Sequence, residues 1–310
     1  MTSKKDRAIV VSALKHAAPY IRLFKGKVFV LKAGGEIFAD TDRTLALMEQ
    51  VGILHQVGIR VVLIHGGGPQ STELAAALGV DTTFIDGRRV TDDASLDVAT
   101  MVLNGQINTR VLAACRDLKI PAVGISGVDA GLIRAHRRPP VEREGEDTVD
   151  YGFVGDIDSV EADILQKQLD NGLMPVVSPL SCDESGTLLN INADTVAAAI
   201  AAELDAEKLI LATGAPGILE DREDPRSLIS YIDRRALDKL RDDGKLADGM
   251  LPKAAAIDSA LANGVKRVHV ISYKLPDSLL LEVFTNEGTG TLVVNDIEAL
   301  TPAEQGDDAP

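Results

Sequence analysis

The chain has 310 residues, 45% of them apolar, enough for one large α/β domain or two lobes around a sizeable core. Thirty-two basic against 47 acidic side chains leave a net charge of −15, and aromatic residues make up only 3%, so no nucleic-acid surface and no basic membrane patch is expected. Cys115 and Cys182 lack metal-ligand spacing, and no apolar run has the length of a membrane span or the form of a leader; the expectation is a soluble, cytoplasmic protein with reduced thiols.

Residues 8–24 repeat apolar side chains at helical spacing, and Pro19 is expected to bend or break that helix. It precedes the first core strand, so residues 1–25 read either as a helix packed on its own subunit or as an oligomerisation arm. Strands then alternate with helices: strand 28–32, helix 41–56, strand 60–65, helix 70–78, a helix capped by Thr91-Asp92-Asp93 and running to Leu103, a second one over 112–118, and strand 122–125. This is the βαβ pattern of a mainly parallel sheet between helices, a three-layer α/β sandwich. From Ile133 to Ile157, turn residues and short alternating runs predict hairpins on the rim, with the charged run 142–147 as a solvated loop tip. The alternation resumes with helix 159–170, strand 174–178, an extended run 188–192, helix 194–204, strand 208–212, helix 251–262, strand 267–271, helix 276–281 and strand 291–294. The acidic tail, 296–310, is expected to be disordered. A change of character near residue 180 suggests two lobes, 26–180 and 181–295, on one sheet.

Two strands end in glycine. Arg60 to His65 runs into Gly66-Gly67-Gly68-Pro69, and Val28 to Lys32 runs into Ala33-Gly34-Gly35. Residues without Cβ admit a ligand close to the backbone, and the N–H groups opening the next helix are unpaired and carry its positive dipole end, so such a loop suits an anion; alone, either triplet is also a plain tight turn. Lys32 ends the first strand, where its ammonium could face the same ligand. Asn190 and Asn192 are two apart and would face one side of an extended chain, just before Asp194; all three also suit helix capping. Arg88 and Arg89 offer a guanidinium for a carboxylate or phosphate, or are surface charges. Lys253 follows Pro252 in the first turn of a helix, an unfavourable place for a cation unless an anion sits there too. There is no Gly-x4-Gly-Lys run and no protein-kinase signature. Backbone N–H groups, two lysines and a carboxylate between them suit phosphoryl transfer to a carboxylate.

These motifs resemble those of the amino acid kinase family: Lys32-Ala-Gly-Gly35, His65-Gly-Gly-Gly-Pro-Gln70, Arg89-Val-Thr-Asp92, Gly152-Phe-Val-Gly-Asp156, Asn190-Ile-Asn-Ala-Asp194, Gly249-Met-Leu-Pro-Lys253 and Leu280-Leu-Glu-Val-Phe-Thr285, spread from about Tyr20 to Val294. The resemblance is to the arginine-biosynthesis members, and it implies phosphorylation of the γ-carboxylate of N-acetyl-L-glutamate by ATP, with Mg²⁺ carried on the nucleotide. By that resemblance Lys32 and Lys253 stabilise the transferring group and Asp194 orients both. Gly34, Gly35 and Gly66 hold phosphate oxygens; Gly67, Gly68, Arg89, Asn190 and Asn192 hold the acyl amino acid. The N-terminal lobe would take the acyl amino acid and the C-terminal lobe ATP. The leading helix and Glu282-Val-Phe-Thr-Asn-Glu-Gly-Thr-Gly-Thr291 resemble the arginine-inhibited branch, which makes Glu282 and Gly288 candidate L-arginine contacts and a homo-oligomer, dimer or hexamer, the expected assembly. Departures from the pattern are Glu36-Ile-Phe38 after the first glycines, Val128 and Ala130 in Ser126-Gly-Val-Asp-Ala130, Gly214 in place of a carboxylate, and Asp277 in place of a histidine. A kinase for an aminoadipate-type acyl amino acid, or a non-catalytic arginine-sensing homologue, would share most of these features.

Overall fold

In the computed structural model, which describes residues 4–85, 88–143, 146–221, 223–246, 249–285 and 288–299, helix α1 (Lys4–Phe24) precedes the central strand β1 (Val28–Ala33). The chain continues through a single turn α2 (Gly35–Phe38), α3 (Thr41–Gln56), β2 (Arg60–His65), α4 (Gly68–Leu78) and a small hairpin of β3 (Phe84–Ile85) and β4 (Arg88–Arg89). Next come α5 (Asp93–Thr100), α6 (Thr109–Asp117) and β5 (Ala122–Ser126), then the rim strands β6 (Ile133–Arg137), β7 (Val141–Arg143), β8 (Glu146–Val149) and β9 (Gly155–Val160). The remainder is α7 (Asp163–Asp170), β10 (Met174–Ser178), β11 (Leu180–Cys182), β12 (Leu188–Asn190), α8 (Ala193–Glu203), β13 (Lys208–Thr213), β14 (Tyr231–Asp233), α9 (Arg234–Asp242), α10 (Leu251–Ala262), β15 (Val268–Ser272), α11 (Ser278–Phe284) and β16 (Thr291–Val294).

Among the described residues the main sheet has eight strands in the order β14-β16-β15-β13-β1-β2-β10-β5. The six from β15 to β5 are mutually parallel, and β16 runs antiparallel to β15 and carries β14 beside it. β1 is an almost unbroken apolar run because both of its faces are covered. Its residues alternate between two cores: Val30 faces α7, α8 and α10, whereas Phe29, Leu31 and Ala33 face α3, α5, α6 and α11. The result is the expected three-layer sandwich. A second sheet, β12-β11-β6-β9, and the hairpin β7-β8 supply the expected rim.

Several boundaries differ from expectation. Pro19 does not interrupt α1, because a proline removes one i→i−4 bond while the neighbouring bonds persist. The two helices expected on either side of residue 110 are one rod: α5 passes into a π-helical stretch, Met101–Asn108, and on into α6, with helical dihedrals at both junctions. Residues 159–160 belong to β9, so α7 starts at Asp163 rather than 159. β14 and α9 were not expected. Asp233 caps α9 by accepting from the Ala236 N–H at 2.7 Å. The acidic tail from residue 300 onward, and residues 144–145 of the charged run, lie outside the described residues.

Candidate active site

The C-terminal ends of β1, β2 and β13 and the first turns of α4, α8 and α10 converge on a cleft of about 390 Å³. A crevice at the carboxyl ends of parallel strands is where open α/β sheets bind ligands. Lys32, Asp194, Lys253, Arg89, Asn190, Asn192 and Gly34, Gly35, Gly66, Gly67 and Gly68 all line it, although they are up to 221 positions apart in the chain (Lys32 to Lys253).

Asn192, not Asp194, caps α8: its Oδ1 accepts from the N–H groups of Asp194 at 2.8 Å and Thr195 at 3.2 Å. That arrangement releases the Asp194 carboxylate for other work. Its Oδ1 lies 2.9 Å from Lys32 Nζ and its Oδ2 3.4 Å from Lys253 Nζ, so one buried carboxylate bridges two ammonium groups. Burial by itself would raise the Asp194 carboxyl, but the two lysines outweigh it and hold the group below the ordinary carboxylate range. Lys253 sits in the first turn of α10, where the helix dipole opposes a cation by about 0.3–1 kcal/mol; Asp194 offsets that.

The two glycine loops touch backbone to backbone. A Cβ on Gly35 would stand 2.9 Å from the Gly67 Cα, and one on Gly67 would meet Leu103 and Ile107 at 2.7 and 2.8 Å. Gln70, from α4, ties the loops together by donating from Nε2 to the Gly35 carbonyl at 2.6 Å. Among the described residues no hydrogen bond takes up the N–H groups of Gly34, Gly35, Gly67 or Gly68. Gly66 is different and corrects the expectation for it: its N–H donates to Ala33 O at 2.8 Å, extending the β1–β2 ladder, so it is not open to a phosphate oxygen.

Arg89 donates from Nη2 to Thr72 Oγ1 at 2.7 Å and to Gly68 O at 3.2 Å, and its guanidinium lies 4.8 Å from the centre of the Phe84 ring. Asn190 donates to Thr91 Oγ1 at 3.3 Å. Both are therefore pre-positioned at the wall formed by α4, β4 and β12. Arg88 and Glu36 also line the cleft, and Thr213 and Gly214 close its β13 side. Sequence reasoning did not assign a role to Glu36 or Thr213, whose only signal was adjacency to the motifs. Gly87 and Asp248, beside two of those motifs, and Asn286 and Glu287 lie outside the described residues.

Glu282 and Gly288 are not part of this cleft. Glu282 is buried on α11, accepting from His269 Nδ1 at 2.6 Å and from the Thr289 N–H at 2.7 Å, while Lys208 Nζ is 2.9 Å from His269 Nε2. A lysine ammonium can only donate, so Nε2 accepts and the ring is a neutral bridge between cation and anion. Burial, reinforced by Lys208, lowers the His269 pKa to about 4. Gly288 has φ +60°, and a Cβ there would stand 3.1 Å from a Glu282 carboxylate oxygen.

An open, mainly parallel sheet that delivers two lysines, one shared carboxylate and two glycine loops to a single cleft is the framework of an enzyme that transfers a polyanionic group. Residues 27–272 match the Amino acid kinase family, and the chain belongs to that family. It is 44% identical over 289 residues to the acetylglutamate kinase of Symbiobacterium thermophilum, covering 93% of this chain and 98% of that protein. Over 291 residues it is 45% identical to the acetylglutamate kinase of Myxococcus xanthus, covering 92% and 94%. Among solved structures it resembles N-acetylglutamate synthase from Neisseria gonorrhoeae complexed with coenzyme A and N-acetyl-glutamate, with a TM-score of 0.80 and 30% identity; the match covers 92% of this chain and 63% of the synthase. Giardia carbamate kinase, at 18% identity and a TM-score of 0.62 over 88% of this chain and all of that one, shares the fold.

Proposed function

We propose that this protein catalyses ATP-dependent phosphorylation of the γ-carboxylate of N-acetyl-L-glutamate, giving N-acetylglutamyl 5-phosphate in arginine biosynthesis. The observation that carries the reading is the Lys32–Asp194–Lys253 bridge facing the two glycine loops. A γ-carboxylate oxygen forms the new bond to the γ-phosphorus as the bond to the β,γ-bridging oxygen breaks and ADP leaves. The nucleophile is already ionised at neutral pH, so no base is needed. What the protein supplies is position and positive charge. Lys32 and Lys253 would stabilise the transferring group and Asp194 hold both in place. The free N–H groups of Gly34, Gly35 and Gly67 would meet its oxygens, Gly67 and Gly68 shaping the acyl amino acid pocket as well. Arg89, Asn190 and the amide NH₂ of Asn192 would hold the acetylglutamate, whose lobe is 26–180, with ATP over 181–295. A cleft of cations and unpaired N–H groups fits the phosphates of ATP, and Mg²⁺ bound to them would neutralise part of their charge.

The test is ADP release with MgATP and N-acetyl-L-glutamate, beside glutamate and N-acetyl-aminoadipate. Turnover confined to acetylglutamate is expected; preference for the aminoadipate derivative would move the assignment to that substrate, and folded, ATP-binding protein that turns over none of the three would reject it. Within this reading, Arg89→Ala is expected to raise KM for the acyl amino acid about 10- to 100-fold, the worth of one charge-assisted hydrogen bond, with KM for ATP nearly unchanged. The reverse pattern in steady-state kinetics would reassign Arg89.

The same reading extends to regulation and assembly in the cytoplasm. Ile9, Val10, Val11 and Leu14 on α1 are between 53% and 68% exposed, whereas Phe24 at its end is buried against Phe29 at a centroid distance of 5.2 Å. An anchored helix with an uncovered apolar stretch suits contact with a second subunit. No helix among the described residues is long and apolar enough to cross a membrane. Removing residues 1–18 is expected to lower the particle mass in light scattering by a factor of two or more, and an unchanged mass would return α1 to its own subunit. Glu282 and Gly288 remain the proposed contacts for L-arginine, a ligand that the Neisseria synthase binds in one of its crystal structures.

A further inference from the structure

The π-helical stretch Met101–Asn108 departs from the α-helical bonding of α5 and α6 on either side of it, and it lies directly behind the second glycine loop. π-helical turns are rare and concentrate at functional sites, so a full stretch of i→i+5 bonding calls for a compensating gain. Four side chains of this stretch meet the ends of β2 and β10. Leu103 and Ile107 occupy the space where a Gly67 Cβ would be, Asn104 Oδ1 accepts from Ser178 Oγ, and Asn108 Nδ2 donates to Val176 O at 2.9 Å. Both neighbouring pairs, 103 with 104 and 107 with 108, therefore make contacts on the side of the stretch that faces these strands.

Asn108 Nδ2 is also 3.2 Å from His65 Nε2. An amide NH₂ has only protons to offer, so Nε2 must accept, and the ring proton is placed on Nδ1. His65 is fully buried, which keeps the ring neutral, and its Nδ1 faces the Gly66 carbonyl at 3.4 Å. The Gly66 carbonyl and the Gly67 N–H belong to one planar trans peptide and point in opposite directions. Restraining the first aims the second. The Gly67 N–H has no acceptor among the described residues, and Gly67 lines the cleft whereas His65 and Asn108 do not.

We propose that His65, at the end of β2, and Asn108, at the end of the π-helical stretch, are positioning residues that orient the Gly66–Gly67 peptide toward the transferring phosphoryl group. The proposal rests on the phosphoryl-transfer reading above, and its test separates the two. Nitrogen-15 NMR of the histidine rings, which needs no substrate, is expected to show His65 as the neutral Nδ1–H tautomer at pH 7; the Nε2–H tautomer or an imidazolium would overturn the arrangement whatever the enzyme phosphorylates. With wild-type turnover in hand, His65→Gln keeps an amide for Asn108 but nothing for the Gly66 carbonyl, and kcat should fall about 10- to 100-fold with both KM values within about twofold. His65→Asn places an amide N–H where Nδ1 stood and should recover most of kcat. Equal loss in both variants, a loss confined to KM, or unchanged kcat would overturn the proposal. If neither variant folds, Asn108→Ser is read the same way, with a drop in kcat and a shift of the His65 tautomer expected together and either one alone counting against the idea.

Discussion

Lys253→Ala is expected to lower kcat by about 10²-fold or more while leaving the fold intact. The loss is that of one preorganised donor aimed at developing charge, which in other enzymes costs about 10²–10³ in turnover. Lys253 reaches the cleft from the first turn of α10 with its side chain 19% exposed, and the change leaves Lys32 still paired with Asp194 at 2.9 Å. Stability should barely move, because two small effects oppose each other. Removing a cation from the positive end of the α10 dipole contributes about 0.3–1 kcal/mol, and thinning the positive charge around Asp194 costs a comparable amount. Kinetics and calorimetry on the same preparation decide it. A fall in kcat with a Tm within a few degrees of wild type supports the role, and near-normal turnover removes Lys253 from the mechanism.

How much of this was legible in the chain follows from what each residue depends on. β1, β2, β10 and β13 are largely continuous apolar runs because they are covered on both faces, and those runs, with the glycines after β1 and β2, could be read directly. Lys32, Asp194 and Lys253 were nameable for local reasons, a charge at a strand end or in a first turn. Their meeting at one carboxylate was named through the family resemblance, since local sequence does not fix how β1, α8 and α10 fold against each other; the 2.9 and 3.4 Å contacts to Asp194 agree with it. Local reading also left open which of Asn192 and Asp194 caps α8; the geometry assigns the cap to Asn192. Gly66 misled for a related reason, because a glycine in a loop and a glycine finishing a ladder look alike until the partner strand is known. β14 and α9 went unread because three residues make too short a strand and α9 is mostly charged, with only Leu237 and Leu240 buried. The π-helical stretch was invisible for a different reason. Gly105 and the polar residues around it mimic a helix end, and only packing against Gly67 and Val176 makes the wider turn worthwhile.

Asp194→Asn should be the more damaging change, because it removes the one anion that two ammonium groups share. The substitution keeps the shape and takes the charge. Lys32, whose side chain is 8% exposed, would be left with a desolvated ammonium and no counter-ion. Breaking a buried pair from one side costs about 3–5 kcal/mol, whereas the intact pair is worth far less, since most of that figure is the stranded charge. The pH dependence gives an independent check. The Asp194 carboxyl is held below its ordinary value in the folded state, so it binds fewer protons there than in the unfolded chain. Its contribution is therefore fully present above the unfolded value of about 3.9 and is lost as pH falls through the lower folded-state value. Wild-type stability should decline across that acid range, and the variant, lacking the group, should show a shallower decline from a lower starting point. Turnover should fall by about 10²-fold or more because both lysines lose the group that fixes them. Saturating ATP returns negative charge to the cleft, and linkage then predicts a larger rise in Tm for Asp194→Asn than for wild type if the nucleotide phosphates take over as counter-ions for Lys32. Equal ATP-induced shifts in the two proteins would mean that Lys32 does not face the phosphates, and that its pairing with Asp194 only holds β1 against α8.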